Sequence, residues 1–419
     1  MKTTHLAGHQ TQRPRKLSTV SISFLLCVTI ISAVLITSAQ AQTYSVLYSF
    51  AGGTGDGATP SGLLVEDGSG NFYGTTASGG ASNAGTVFEL TSSGVESVLY
   101  SFTGASDGAV PQAGVFRDTD GTLYGTTNSG GDSVCKCGTV FKLSPALELT
   151  VLHQFKGVPA DGANPGPSSR LISVNGELYS VTTYGGNSNQ CGNEGCGVVF
   201  RVTKGGKETL VYQFQGAGDG IWPVSLVRDA AGILYGSAQG GWGGAGTTYK
   251  LDTSGNFLGY VDLEYQDGSY VIGHIIVDTN GNIHGLTSWA GHNGCSRGCG
   301  SIYDIDSATG TVTAISKFSA GAGGSKSAAG VVDVGGVLYG TTQQGGTSTN
   351  CTDGCGVIYQ LSKTSQYSAL HSFTGTDGAL GGEMVLGRDG SLYGVTSAGG
   401  SGSCTGTTNG CGIIFKYTP

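Results

Sequence analysis

Charge is scarce in this chain. Lys, Arg, Asp and Glu make up 11% of its 419 residues, against roughly a quarter in an ordinary globular protein. Long apolar runs are also missing. The longest, from about Ile22 to Ile36, falls short of the ~20 apolar residues that a spanning helix needs. No G-x-S-x-G, H-E-x-x-H or phosphate-binding loop occurs in recognisable context, so the common hydrolase and nucleotide signatures are excluded. Acidic residues are present, but no pair is singled out for acid/base work.

The apolar run has a different meaning. Lys2, Arg13, Arg15 and Lys16 precede it and Ala39-Gln40-Ala41 follows it. Basic n-region, apolar h-region and small-residue site describe a secretory signal peptide over residues 1–41, cleaved after Ala41. An anchor kept uncleaved is the alternative. Cys27 follows Leu25-Leu26 rather than a small residue, which argues against lipidation. Without residues 1–41 the chain has 16 basic and 28 acidic residues, a net charge of −12. Such a surface repels nucleic acid and anionic membranes. The mature chain is expected to be secreted or periplasmic, monomeric and free of membrane spans.

What the chain has in excess is glycine, 77 residues, and it recurs in register. Tyr73, Tyr124, Tyr179, Tyr235, His284, Tyr339 and Tyr393 mark seven copies of one unit, 49 to 56 residues apart. A period of that size points to a radially repeated all-β ring. The first copy divides into Ser61–Glu66, Phe72–Thr76, Gly85–Leu90 and Val98–Phe102, with turn residues between them. Four short strands per unit make the blade of a β-propeller.

Three features refine this expectation. The third strand carries an aromatic in every copy (Phe88, Phe141, Phe200, Tyr249, Tyr303, Tyr359, Phe415), then a polar residue, then an apolar one. That alternation gives an apolar face and a wet one. The residue after the second-strand marker is always small (Gly74, Gly125, Ser180, Gly236, Gly285, Gly340, Gly394), which suggests close approach of a neighbouring blade. The repeat also opens on a lone fourth-type strand, Val46–Phe50, and stops after a third-type strand, Gly412–Tyr417. The first can complete the last. The fold class is therefore all-β, a seven-bladed propeller of four-stranded antiparallel blades over residues 42–419, closed by the N-terminal strand.

The unit G-T-V-F-x-L…L-Y-S-F-x-G…D-G-x-x-P-x-x-G-L…L-Y-G-T-T-x-x-G-G resembles the GloVer tandem repeat of bacterial "choice-of-anchor" proteins. The likeness runs over Tyr44–Tyr417. The Pro of D-G-x-x-P (Pro60, Pro111, Pro165, Pro223) is absent from the last three copies, and copy 6 also lacks Asp-Gly. The resemblance implies a propeller and export, and no defined reaction. Members often carry a C-terminal sorting signal; here the chain ends at Pro419, two residues past the last strand, and none is expected.

Ten cysteines fall as five close pairs, Cys135/Cys137, Cys191/Cys196, Cys295/Cys299, Cys351/Cys355 and Cys404/Cys411. Every pair lies between the second and third strands of a copy. Copies 1 and 4 have four-residue loops there and no cysteine, whereas the other five have loops of 6 to 11 residues. Even pairing in an exported chain reads as local disulfides. A metal site would need four converging ligands, and each loop offers two cysteines with at most His292 nearby. No metal or cofactor is expected.

Asp56, Asp107, Asp161, Asp219, Asp267 and Asp377 each precede a Gly where the chain enters a new blade. One Asp per unit cannot supply the six or more oxygens of a calcium site, and an Asx-type turn accounts for the pair. His274 and His284 flank the first turn of copy 5; His284 stands where other copies have Tyr, so a packed histidine is expected rather than a general base. Tryptophan alone is asymmetric. Trp222, Trp242 and Trp289 all fall in copies 4 and 5, in connections that emerge on one face of a propeller. They are candidates for stacking on sugar rings or gripping a peptide. The favoured function is a binding or interaction scaffold for glycan, protein or cell-surface ligands. The alternative is a polysaccharide-active lyase or hydrolase with a site in the central channel. An enzyme should gather unlike polar residues there, and a plain scaffold should show a near-uniform ring.

Overall fold

The structure, a computed structural model, describes residues 42–419 except 217, 242–243, 290–294, 296–297, 328 and 405–409. The expected signal peptide, Trp242 and His292 lie outside the described residues. Thr43–Pro419 forms one compact unit, and among the described residues it contains no α-helix.

Seven antiparallel sheets follow one another along the chain. In blade 1, Gly57–Glu66, Phe72–Gly79, Thr86–Leu90 and Glu96–Ser101 pair in sequence order. The inner strand of each blade lies on the central axis and the fourth lies at the rim. Blade 3 splits its inner segment into Gly162–Ala163 and Ile172–Val174, and blade 6 into Ser325–Ser327 and Val332–Val334. Closure follows the sequence expectation. Thr43–Ser49 pairs with Ile413–Thr418, from Thr43 opposite Thr418 to Ser49 opposite Ile413, as the fourth strand of blade 7.

The core is a set of seams between blades. The third-strand aromatic of one blade meets, edge to face, the aromatic that follows the fourth strand of the blade before it. Phe50–Phe88, Phe102–Phe141 and Phe155–Phe200 have centroids 5.2, 5.1 and 5.1 Å apart. Phe214–Tyr249, Phe318–Tyr359 and Phe373–Phe415 repeat the contact at 4.9, 5.2 and 5.7 Å. At the seam between blades 4 and 5 Leu263 replaces the partner, in one cluster with Tyr303. Such edge-to-face pairs add about 0.5–1.5 kcal/mol each beyond the area they bury.

Two strand expectations need correction. The third strand is buried on both faces, because a blade is covered by a neighbour on each side. Val87, Val140, Val199 and Ile302 are as buried as the aromatics beside them, and only the polar residue of each strand reaches water. The small residue after the second-strand marker is not set by a neighbouring blade. Gly74 pairs directly with Phe88, and a Cβ on it would lie 2.6 Å from the Phe88 ring. Gly125 and Phe141 repeat this at 2.5 Å. The blade's own aromatic folds over the glycine and fills the place of its side chain.

A second seven-fold device joins the blades through the backbone. At the entry to each blade stands a residue with φ between 51° and 62°: Thr59, Val110, Asn164, Trp222, Tyr270, Lys326 or Leu380, three residues after the opening Asp in six blades and after Gly323 in blade 6. None of the seven is glycine. Each donates its N–H to a carbonyl of the preceding blade, those of Cys411, Ala84, Cys137, Cys196, Ala245, Cys299 and Cys355 respectively, at 2.8–3.0 Å. Left-handed backbone is uncommon for non-glycine residues and an outlier for β-branched ones, so the interblade bond holds it in place. The acceptors explain the cysteines. In blades 1 and 4 the acceptor is a buried Ala; in the others it is the second cysteine of a disulfide, with Cα–Cα distances of 5.1–5.3 Å. Each long loop is therefore pinned at the residue that holds the next blade.

Candidate functional sites on the two faces of the wheel

All inner strands run in one direction, from the blade-to-blade connection to the turn before the second strand, so the channel has two chemically distinct ends. At the first end stand the seven left-handed residues. Their backbone role is the same in every blade and their side chains differ in every blade. The aromatic members are adjacent. Tyr270 stacks on Trp289 with centroids 4.4 Å apart and planes 24° apart. Trp222 meets Tyr184 edge-on at 6.4 Å. Both indoles are half-buried, and the Trp222 Nε1 is buried with no hydrogen-bond partner. Both tryptophans stand in strand ends rather than in connections, Trp222 in Ile221–Arg228 and Trp289 at the close of Ile283–Trp289.

Midway down the channel the inner strands present another equivalent position, two residues before the one paired with the second-strand marker. Strand pairing places Leu63, Gly114, Arg170, Ser225, His274, Gly330 and Glu383 there. Leu63 and Gly114 bridge directly, and a Cβ on Gly114 would lie 2.3 Å from the Leu63 carbonyl oxygen. The ring is not uniform. Blades 3, 5 and 7 contribute charge-bearing side chains that reach toward one another. His274 Nε2 lies 3.2 Å from Glu383 Oε2, with both residues 5% exposed. Ser168 Oγ donates to Glu383 Oε1 at 3.3 Å. Arg170 lies in the same cluster, its Nε buried without a hydrogen-bond partner. Burial lowers its pKa from the ordinary value, and Glu383 opposes that. A cavity of about 760 Å³ covers this cluster and opens at the second end, among the first turns of blades 4 to 7. His274 therefore belongs to the channel rather than to the turn beside it. Sequence reasoning missed Arg170 and Glu383. Their signal was faint: charge at a position that other copies fill with Leu, Gly or Ser.

The remaining candidates have structural roles. His284 lies between Asp278 (3.6 Å) and Asp304 (3.3 Å), where Tyr73 in blade 1 meets Asp67 and Glu89. Asp56 accepts the Tyr48 hydroxyl at 3.0 Å and the Ala51 N–H at 2.6 Å; Asp107, Asp219 and Asp377 tie the same loop. At the entry to blade 3 a histidine from the fourth strand of blade 2 takes the tyrosine's part, with His153 Nε2 3.0 Å from Asp161 Oδ2. Glu208 lies close enough to complete a potential cation-binding trio. Asp161 is already committed, however, to the N–H groups of Lys156 and Gly162 at 2.9 and 2.7 Å. Burial pushes Glu208 up to about 7, with His153 opposing and Asp161 adding to it.

Comparison with solved structures supports the architecture. An oligogalacturonate lyase from Vibrio parahaemolyticus superposes with a TM-score of 0.54 at 9% identity, over 91% of this chain and 94% of that one. Extracellular domains of two signalling systems from B. thetaiotaomicron superpose with TM-scores of 0.52 at 14% and 11% identity. They cover 86% and 88% of this chain and 40% of each of those. At such identities the likeness shows the fold. No curated protein matches the sequence. Among the described residues no helix is long and apolar enough to cross a membrane. A family model for the Gloeobacter/Verrucomicrobia repeat matches residues 32–192 and 188–408, and the chain belongs to that family.

Proposed function

We propose that the protein is an exported, monomeric binding propeller that recognises a carbohydrate-bearing or protein ligand on the face carrying the blade-to-blade connections. The observation that carries this is the ring of left-handed residues: seven identical backbone anchors bear seven different side chains around one mouth. A framework that repeats while its displayed groups vary is suited to recognition, and Trp222, Tyr270 and Trp289 give it flat apolar surfaces for stacking. Export is supported by the signal-like residues 1–41 and by five disulfides, which persist in oxidising compartments. The test is a glycan array probed with wild type, Trp222→Ala and Trp289→Ala, with light scattering for the mass. Binding by wild type that drops about tenfold or more in either variant supports the reading. Equal signals from all three proteins would remove the aromatic face.

A second reading has its own observation. The unlike ring of Arg170, His274 and Glu383 departs from the uniform channel of a plain scaffold and suits a polysaccharide-active lyase or hydrolase. Release of reducing ends from a polysaccharide panel, abolished in His274→Ala, would favour catalysis.

A further inference from the structure

The channel cluster has an imbalance that its own residues do not settle. Glu383 Oε1 accepts from Ser168 at 3.3 Å, whereas its Oε2 lies 3.2 Å from His274 Nε2 without hydrogen-bond geometry. Arg170, from the same ring, makes no direct ion pair or hydrogen bond among the described residues and its Nε is buried and unpartnered, so Glu383 favours its charge only from a distance. An Nε withdrawn from water without a partner is costly, and the planar fork of this half-buried guanidinium fits a carboxylate in two parallel hydrogen bonds. The group stands on the wall of a cavity of about 760 Å³, within the range of small-molecule sites. His274 adds a second open position: it is 5% exposed and neither of its ring nitrogens has a hydrogen-bond partner. The nearby walls are apolar, with Leu63, Val331 and Met384 among them.

We propose that this cavity binds a small hydroxylated monocarboxylate of the sugar-acid class, its carboxylate seated on Arg170 and its hydroxyls on the His274–Glu383 pair. The mouth limits the charge of the ligand. Asp229, Asp278 and Asp333 line it, each carboxylate already accepting turn N–H groups at 2.6–2.8 Å. Arg228 lines the mouth as well, which leaves it net negative; that disfavours a polyanion, whereas one carboxylate is compensated by Arg170. The site lies at the opposite end of the channel from the aromatic ring and is independent of it.

Calorimetry on the mature chain tests the assignment with glucuronate, galacturonate, glucose and inorganic phosphate as probes. Binding of at least one uronate is expected at concentrations below about 10 mM, with glucose and phosphate at least about tenfold weaker. Arg170→Gln should weaken uronate binding by about tenfold or more, and Arg170→Lys should fall between, having the charge without the fork. Trp289→Ala should bind the uronate as wild type does. Thermal melting without ligand adds an independent readout. Because burial outweighs the attraction of Glu383 and Arg170 makes no direct hydrogen bond or ion pair, Arg170→Gln should melt at or above the wild-type temperature. Uronate binding that survives in Arg170→Gln, phosphate binding tighter than either uronate, or no uronate binding at all would overturn the proposal. A marked fall in the melting temperature of both Arg170 variants would do so too, since it would give Arg170 a structural partner.

Discussion

Glu96 and Glu208 are glutamates that do not suit their surroundings. They occupy equivalent places at the start of the fourth strands of blades 1 and 3, each with a buried Oε1 lacking a hydrogen-bond partner. Burial, reinforced by the Asp that opens the blade, pushes each up to about 7. A carboxyl whose folded pKa is raised contributes stability that is complete below its unfolded value near 4.5. That contribution is lost as pH rises through about 7. Glu96→Gln should therefore be more stable than wild type at pH 8, by about 1 kcal/mol once solvent screening of a half-buried group is allowed for. Near pH 4 the advantage should vanish. Urea titrations at the two pH values decide it, and a pH-independent difference would count against the cause given. Single residues of this kind were poorly legible in the sequence. Nothing in the repeat marks Glu96 as buried, and Arg170 and Glu383 are separated by more than 200 positions. Only ring closure, together with strand register, reveals that they share an axis. The tryptophans were more legible because a rare residue confined to two adjacent copies stands out against a repeat.

The interblade hydrogen bond explains at the level of elements what loop length only suggested. Long loops carry cysteines because the residue before the third-strand glycine must present its carbonyl to the next blade, and a long loop holds that residue less firmly. Ala84 and Ala245 do the same work in four-residue loops without help. The Cys191→Ala/Cys196→Ala double variant should therefore fold to the same structure and lose no more than about 2 kcal/mol, because the ring it opens is short. Denaturant unfolding beside wild type measures the loss, and failure to fold would show that the disulfide shapes the acceptor rather than merely steadying it. The donor side gives a second expectation. Val110 is β-branched and held at φ 57°, whereas blade 3 has Asn164 at φ 53° in the same role. Asn tolerates that region better, so Val110→Asn should raise stability by about 0.5–1 kcal/mol. Pairing partners and the four-strand unit could be read from the sequence, since turn residues and alternation mark them. The left-handed position could not, because nothing in T, V, N, W, Y, K or L announces it.

For the molecule as a whole, closure decides whether seven blades act as one body. An open row would leave the Ile413–Thr418 edge unpaired and Phe373 and Phe415 with less cover, and an exposed edge invites pairing with other chains. The strand Thr43–Ser49 prevents this with more than its ladder. Tyr44 stacks on His371 of blade 6 at 3.8 Å and donates its hydroxyl to the Asp377 carbonyl at 2.5 Å, while Phe50 enters the seam against Phe88 of blade 1. One short strand thus touches the blade it completes and those on both sides. Complementary half-repeats at the two ends of the sequence made this legible, since a closed ring gives such halves a purpose. Tyr44→Ala keeps the ladder and removes the stacking contact and the hydroxyl bond. It should cost about 2–3 kcal/mol, near the lower end for truncating a buried aromatic because Tyr44 is half-buried. Removing residues 1–49 should do more: the remaining protein should unfold over a broadened transition and self-associate. A synthetic peptide spanning Thr43–Ser49 should restore a sharp transition by refilling the gap in trans. Calorimetry with and without the peptide gives the answer, and a truncated protein that stays monomeric and melts as wild type does would mean that the seams alone hold the wheel shut.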